Sequence, residues 1–76
     1  MADFRTDVIE LKKIMVENQY NTISALSEAS GVDRVTLGQV VNGKKQPSAP
    51  VMYKLADALH MMPAQCGKVF FAQKNT

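Results

Sequence analysis

Residues 22–48, TISALSEASGVDRVTLGQVVNGKKQPS, constrain the fold of this chain more than any other stretch. Two short amphipathic segments meet there at Gly31. Thr22 opens the first as an N-cap, because its hydroxyl can accept one of the N–H groups that a first helical turn leaves without a partner. Ile23, Leu26 and Ala29 or Ser30 share the inner face. Ser27 places a small side chain where another helix must come close. Gly31 ends the segment as a residue free to take a positive φ. Asp33 caps the second segment, whose buried stripe is Leu37, Val40 and Val41. Positions 34, 35, 38, 39 and 42 fall on the opposite side. Gly43 ends this helix by the same logic. Neither segment can bury its apolar face alone, so the rest of the chain must cover both.

That cover is legible as three further helices. From about Phe4 to Glu17, Phe4, Val8, Leu11 and Met15 line one stripe with Ile14 beside them, and Arg5, Lys12, Lys13 and Glu17 lie outside it. Asn18–Asn21 breaks the pattern, with Tyr20 plugging the gap. Lys44-Lys45-Gln46-Pro47 reads as a loop. Ser48 caps a fourth helix that tolerates Pro50 in its first turn, with Met52, Leu55, Ala56 and Leu59 inward. His60-Met61-Met62 forms a turn, and Pro63 opens a fifth helix with Cys66, Val69 and Phe70 inward. The ends, Met1–Asp3 and Gln73–Thr76, are expected to fray. The expectation is an all-α, compact five-helix bundle forming one domain over residues 1–76.

Composition removes several classes of function. At 76 residues the core is small. The hydrophobic fraction of 46% speaks against disorder. A net charge of +2 is too weak for a protein that binds by bulk charge alone. Local charge says more: Arg34, Lys44, Lys45 and Lys54 face only Asp33 between residues 30 and 54, a cationic patch suited to docking in one orientation. One cysteine, Cys66, allows no internal disulfide, and with one histidine, His60, no metal site of several ligands is expected. Cys66 reads as a small buried hydrophobe and His60 as a side chain at a helix end, where it can stabilise the C-terminal dipole. Neither enzymatic activity nor a cofactor is expected. With no secretory segment and no long apolar run, the chain is expected to be cytoplasmic, with no membrane partner.

Two helices joined at a tight turn, the second showing Arg and Gln outward and ending in Asn-Gly-Lys-Lys, form the layout of a helix-turn-helix, which offers one helix to the major groove of DNA. Four short strings follow in order: Gly31-Val32-Asp33-Arg34-Val35-Thr36-Leu37, Asn42-Gly43-Lys44, Pro47-Ser48 and Leu55-Ala56-Asp57-Ala58-Leu59. Together, over roughly residues 8–70, they resemble the Cro/cI-type helix-turn-helix of phage repressors and xenobiotic-response-element (XRE) regulators. The resemblance implies a lambda-repressor-like bundle of four or five helices and a sequence-specific, repressor-like transcriptional regulator. It implies that Arg34, Val35, Gly38 and Gln39 face base edges and that Thr36, Asn42 and Lys44 approach phosphates. The chain departs from the pattern at Ile23, where many members hold a backbone-touching Gln. It departs again at Val35 and Gly38, where polar readers are common.

Each position also has its own chemistry. Arg34 can fork onto guanine O6 and N7, or can pair with Asp57 or Glu28. Gln39 can bind adenine N6 and N7 together, or can simply face solvent. Val35 can touch a thymine methyl, or can be a spacer that lets the helix sit close. Gly38 costs about 1 kcal/mol relative to Ala inside a helix, which suggests close backbone approach to DNA or to another helix. Asn42, Lys44 and Lys45 suit phosphate contacts, with Thr22 and Thr36 as weaker candidates. Phe70 and Phe71 are adjacent and cannot both face one core. Met62, Val69 and Phe71 are therefore the candidate partner surface. One such domain spans little DNA, so a homodimer on a double-stranded operator is expected. The alternative is an antirepressor or antitoxin-like protein that binds another regulator through the same fold.

Overall fold

The computed structural model of the chain describes residues 4–73. Its elements run β1 (Phe4–Arg5), α1 (Val8–Glu17), α2 (Ile23–Ser30), α3 (Arg34–Val41), α4 (Ala49–Ala58), α5 (Pro63–Phe70) and β2 (Ala72–Gln73). The architecture is an all-α bundle of five helices, with a two-residue antiparallel ribbon pairing Phe4 with Gln73 and Arg5 with Ala72. No described helix is long and apolar enough to cross a membrane.

The core is one cluster drawn from every helix. Leu11, Ile14 and Met15 come from α1, Leu26 from α2, Leu37, Val40 and Val41 from α3, Leu55 and Leu59 from α4 and its end, and Val69 and Phe70 from α5. Val32, in the turn between α2 and α3, is also buried and plugs the angle between them. Tyr20, Ile23, Met52 and Cys66 pack around this cluster, half-buried. α3 lies against α1 and α2, whereas α5 lies against α1 and α4. α3 therefore has one packed side and one free side.

The helix ends follow the chemistry of their caps. Thr22 Oγ1 accepts from Ala25 N–H at 3.1 Å, Asp33 from Thr36 N–H at 2.9 Å and Asp7 from Glu10 N–H at 3.1 Å. Gly31 and Gly43 take φ of +79° and +73° at the ends of α2 and α3, as expected from their positions. α1, α3 and α4 close with the same paired bonds: the residues just past each helix donate to carbonyls of its last turn, Tyr20 to Met15 at 2.8 Å, Lys44 to Gln39 at 2.8 Å and Met61 to Ala56 at 2.9 Å.

Several expectations are corrected. α1 begins at Val8 and not at Phe4, because Asp7 caps it and Phe4–Arg5 pair with the other end of the chain. Phe4 therefore leaves the inner stripe. It stands 54% exposed, its ring edge-on to Phe71 with centroids 6.1 Å apart. Gln73 does not fray but belongs to β2; Met1–Asp3 and Lys74–Thr76 lie outside the described residues. Ser48 occupies the N-cap of α4 without a side-chain bond. Ala29 is exposed, and Ser30 turns part-way inward in its place.

Candidate nucleic-acid interface

The free side of α3 is built from its packed side. Leu37, Val40 and Val41 are buried, which by helical geometry turns positions 35, 39 and 42 outward and leaves 38 on the flank; Arg34, seven residues before Val41, stands on the other flank at the open first turn. Arg34, Val35, Gln39 and Asn42 are exposed, and Gly38 and Thr36 are half-buried. Val35 is 73% exposed.

The turn that sets the angle of α3 is fastened by two serines. Ser27 Oγ donates to the Val32 carbonyl at 2.6 Å, and Ser30 Oγ accepts from Val32 N–H at 3.2 Å. The sequence reading gave Ser27 a role as a small residue and missed both bonds. Serines flanking a glycine turn are the signal that could have revealed them.

Arg34 sits in the first turn of α3, and its guanidinium reaches back to Ser24 Oγ on α2 at 3.4 Å. Among the described residues this, and not an ion pair with Asp57 or Glu28, is its polar contact. A long bond to an exposed hydroxyl is weak, so the fork is steered by α2 yet remains available. Ile23, where the resemblance leads one to expect a backbone-touching Gln, is half-buried and packs on the core. A Cβ built on Gly38 would meet Ile23 Cδ1 at 3.8 Å, an ordinary contact. Packing against α2 therefore does not require the glycine. Gly38→Ala is expected to stabilise the fold by about 0.5–1 kcal/mol through helix propensity, read as a rise in the thermal midpoint.

The Asp33 carboxyl is held below the ordinary aspartate range, first by the Thr36 backbone N–H and then by its side chain, with the positive charge of Lys45 contributing least. Because the folded carboxyl binds a proton less readily than the unfolded one, its contribution to stability is present above the ordinary aspartate value. It is lost as pH falls through the folded value. Urea unfolding between about pH 2 and pH 6 should therefore show the wild type losing stability at the acid end relative to Asp33→Asn, which keeps a capping oxygen but does not titrate. Thr22 and Thr36, both weaker phosphate candidates, are already occupied by this kind of work. Thr22 Oγ1 accepts from Ala25 N–H, although its own proton stays free to donate outward.

Past α3, Lys44 and Lys45 both give their backbone N–H groups to the Gln39 carbonyl, at 2.8 and 3.3 Å, so the loop is folded back onto the helix end. Both side chains are exposed. The candidate base readers and, Thr22 apart, the candidate phosphate contacts thus belong to one continuous stretch, α3 and the loop that doubles back on it.

The proposed partner residues divide. Met62 is 66% and Phe71 49% exposed, but Val69 is 1% exposed. Val69 faces the core with Phe70, and its place in a partner surface is corrected. Sequence reasoning overlooked three exposed apolar residues: Ile9 and Val16 on α1 and, on α4, Tyr53, 75% exposed. It borders a groove of about 200 Å³ between α4 and α5, lined also by Met52, Ala56, Cys66 and Phe71. Among the described residues no three His, Cys, Asp or Glu side chains gather as a metal site would require.

A family model described as helix-turn-helix matches residues 11–62, from the buried face of α1 to the turn before α5. Neither a curated protein nor a solved structure matches the chain.

Proposed function

The chain belongs to the helix-turn-helix family of the Cro/cI, XRE type, and as such is a DNA-binding regulator; on that premise we propose that it represses transcription by placing α3 in the major groove of a specific operator. The single observation that carries this reading is the outward row on α3. Arg34, Val35 and Gln39 project from a helix whose other side is locked into the core, and a lysine loop doubles back at its end. In this reading Arg34 and Gln39 read base edges, Val35 covers a thymine methyl, and Gly38 lets the backbone approach. Asn42, Lys44 and Lys45 hold phosphates, with Thr22 and Thr36 at the margin.

One α3 reads few base pairs. The regulator therefore acts as a homodimer, its two recognition helices set about 34–36 Å apart on a twofold operator. Phe71 and Tyr53, which line the α4–α5 groove, and exposed Met62 at the N-cap of α5 are apolar residues available to bring a second copy together. The same exposed residues favour a second reading, in which another regulator occupies that groove and this chain acts as its antirepressor or antitoxin-like partner.

Selection from a random duplex pool, followed by shift assays, separates these. The reading expects an enriched site with twofold symmetry, bound about a thousandfold or more tighter than random DNA at moderate salt. Sedimentation would show a dimer on that site. No enriched sequence, together with one protein co-purifying in fixed stoichiometry, would favour the second reading. Gly38→Ala serves as a further check. If the backbone of α3 nears the bases, the added methyl weakens binding to the selected site even as it raises the thermal midpoint.

A further inference from the structure

We propose that Gln46 is a positioning residue for DNA binding: it clamps the lysine loop from behind to both ends of the chain, and so fixes where Lys44 and Lys45 meet phosphates. The proposal rests on the phosphate role given above to those lysines. The front of the loop is anchored by the two bonds from Lys44 and Lys45 N–H to the Gln39 carbonyl. The back is anchored by one side chain. Gln46 Nε2 donates to the Phe70 carbonyl at the end of α5, and Gln46 Oε1 accepts from Thr6 Oγ1 at 3.0 Å.

Both of those partners are buried. Thr6 is 6% exposed, the buried polar residue of the described chain, and Phe70 is fully enclosed. Asp7, next to Thr6, gives its own N–H to the Val69 carbonyl at 2.7 Å. The last carbonyls of α5, which no helical N–H can reach, are thus filled by the entry to α1 and by the loop after α3. Only an amide offers a donor and an acceptor side by side, so Gln46 can serve both partners at once where a Glu or Lys could not. Pro47, the next residue, is buried and seats the same corner.

A loop whose backbone is held at both ends presents its two lysines without a further backbone ordering cost on binding. Released at the back, it keeps only its front anchor, while Leu37, Val40 and Val41 still hold α3. The expected consequence is specific. Phosphate contacts weaken, and base discrimination stays.

The test compares the wild type with Gln46→Ala and with Thr6→Val, which removes the hydroxyl while keeping the buried shape and touches nothing on the DNA side. The probe is a random-sequence duplex of about 20 base pairs, titrated across a range of salt. In both variants the slope of log affinity against log salt should become shallower by roughly one to two units, since each phosphate contact contributes about 0.9. Amide exchange at Lys44 and Lys45 in the free protein should quicken roughly three- to tenfold. A variant that is merely less well folded loses affinity by a similar factor at each salt and keeps its slope. If Gln46→Ala fails to fold, Thr6→Val decides alone. Unchanged slopes alongside normal wild-type binding overturn the clamp, as does unchanged exchange. A wild-type chain that ignores the duplex overturns instead the DNA reading of the loop.

Discussion

Arg34→Ala is expected to reduce discrimination between the selected operator and the same duplex altered at one base pair by roughly five- to 150-fold, with the loss confined to that base pair. A guanidinium offers two parallel donors matched to guanine O6 and N7, and nothing else on the outer face of α3 has that geometry. Lys in its place supplies a charge without the fork, so Arg34→Lys should recover affinity for random DNA more fully than it recovers discrimination. The fold should barely notice either change. Arg34 is exposed, and its polar contact among the described residues is the 3.4 Å bond to Ser24. Exposed positions of this kind shift stability by about 0.5 kcal/mol or less. Competitive titration with single-base-pair variants reads the effect. Equal loss on every duplex would place Arg34 on a phosphate.

Phe70→Ala is expected to destabilise the protein by about 3–5 kcal/mol, enough to remove roughly 15–30 °C from its thermal midpoint. A chain of this size has a total stability of only about 4–11 kcal/mol, so the variant stands near the edge of folding. Phe70 is fully buried where α5 meets the rest of the core, and its carbonyl also receives Gln46. Phe71, its neighbour, is 49% exposed and meets Phe4 edge-on. Phe71→Ala should therefore cost less, about 1–2.5 kcal/mol, from the lost aromatic pair and the buried half of its ring. Thermal melts of the two alanine variants side by side test which of the adjacent rings the core holds. Near-equal losses would contradict the placement.

Both phenylalanines illustrate how far the sequence could be read. That one of them had to leave the core followed from adjacency, and the 3.6-residue period named Phe70. The same period identified Leu11, Leu26, Leu37, Val40 and Leu55, and the caps at Thr22, Asp33, Gly31 and Gly43 bounded α2 and α3. These are signals carried by neighbours in the chain. What escaped was carried by distance. Phe4–Arg5 have an apolar and a basic residue that fit a helical stripe well enough, and only pairing with Ala72–Gln73, at the far end of the chain, makes them a strand. Gln46 and Thr6 are 40 positions apart, and neither shows any sign of the other in local pattern. Val69 was offered to a partner and the core alike, a conflict that helical period alone left open and burial resolved. Tyr53 was passed over because the helical period put Met52, Leu55 and Ala56 inward and left it outside that stripe, and the groove beside it is visible only in the fold. On the candidate site the outward face of α3 was readable, because a buried stripe defines its own opposite side. The restraints on that face, from Ser24, Ser27 and Ser30, depend on the turn being folded first.

The central claim is that the outer face of α3 meets DNA, and a photo-crosslink tests it most directly. A benzophenone side chain at position 35 should attach to the bases of the selected duplex under light. The same probe at position 53, beside the α4–α5 groove, should attach to a second copy of the chain and leave the duplex untouched. Crosslinks to DNA from position 53 with none from position 35 would contradict the account.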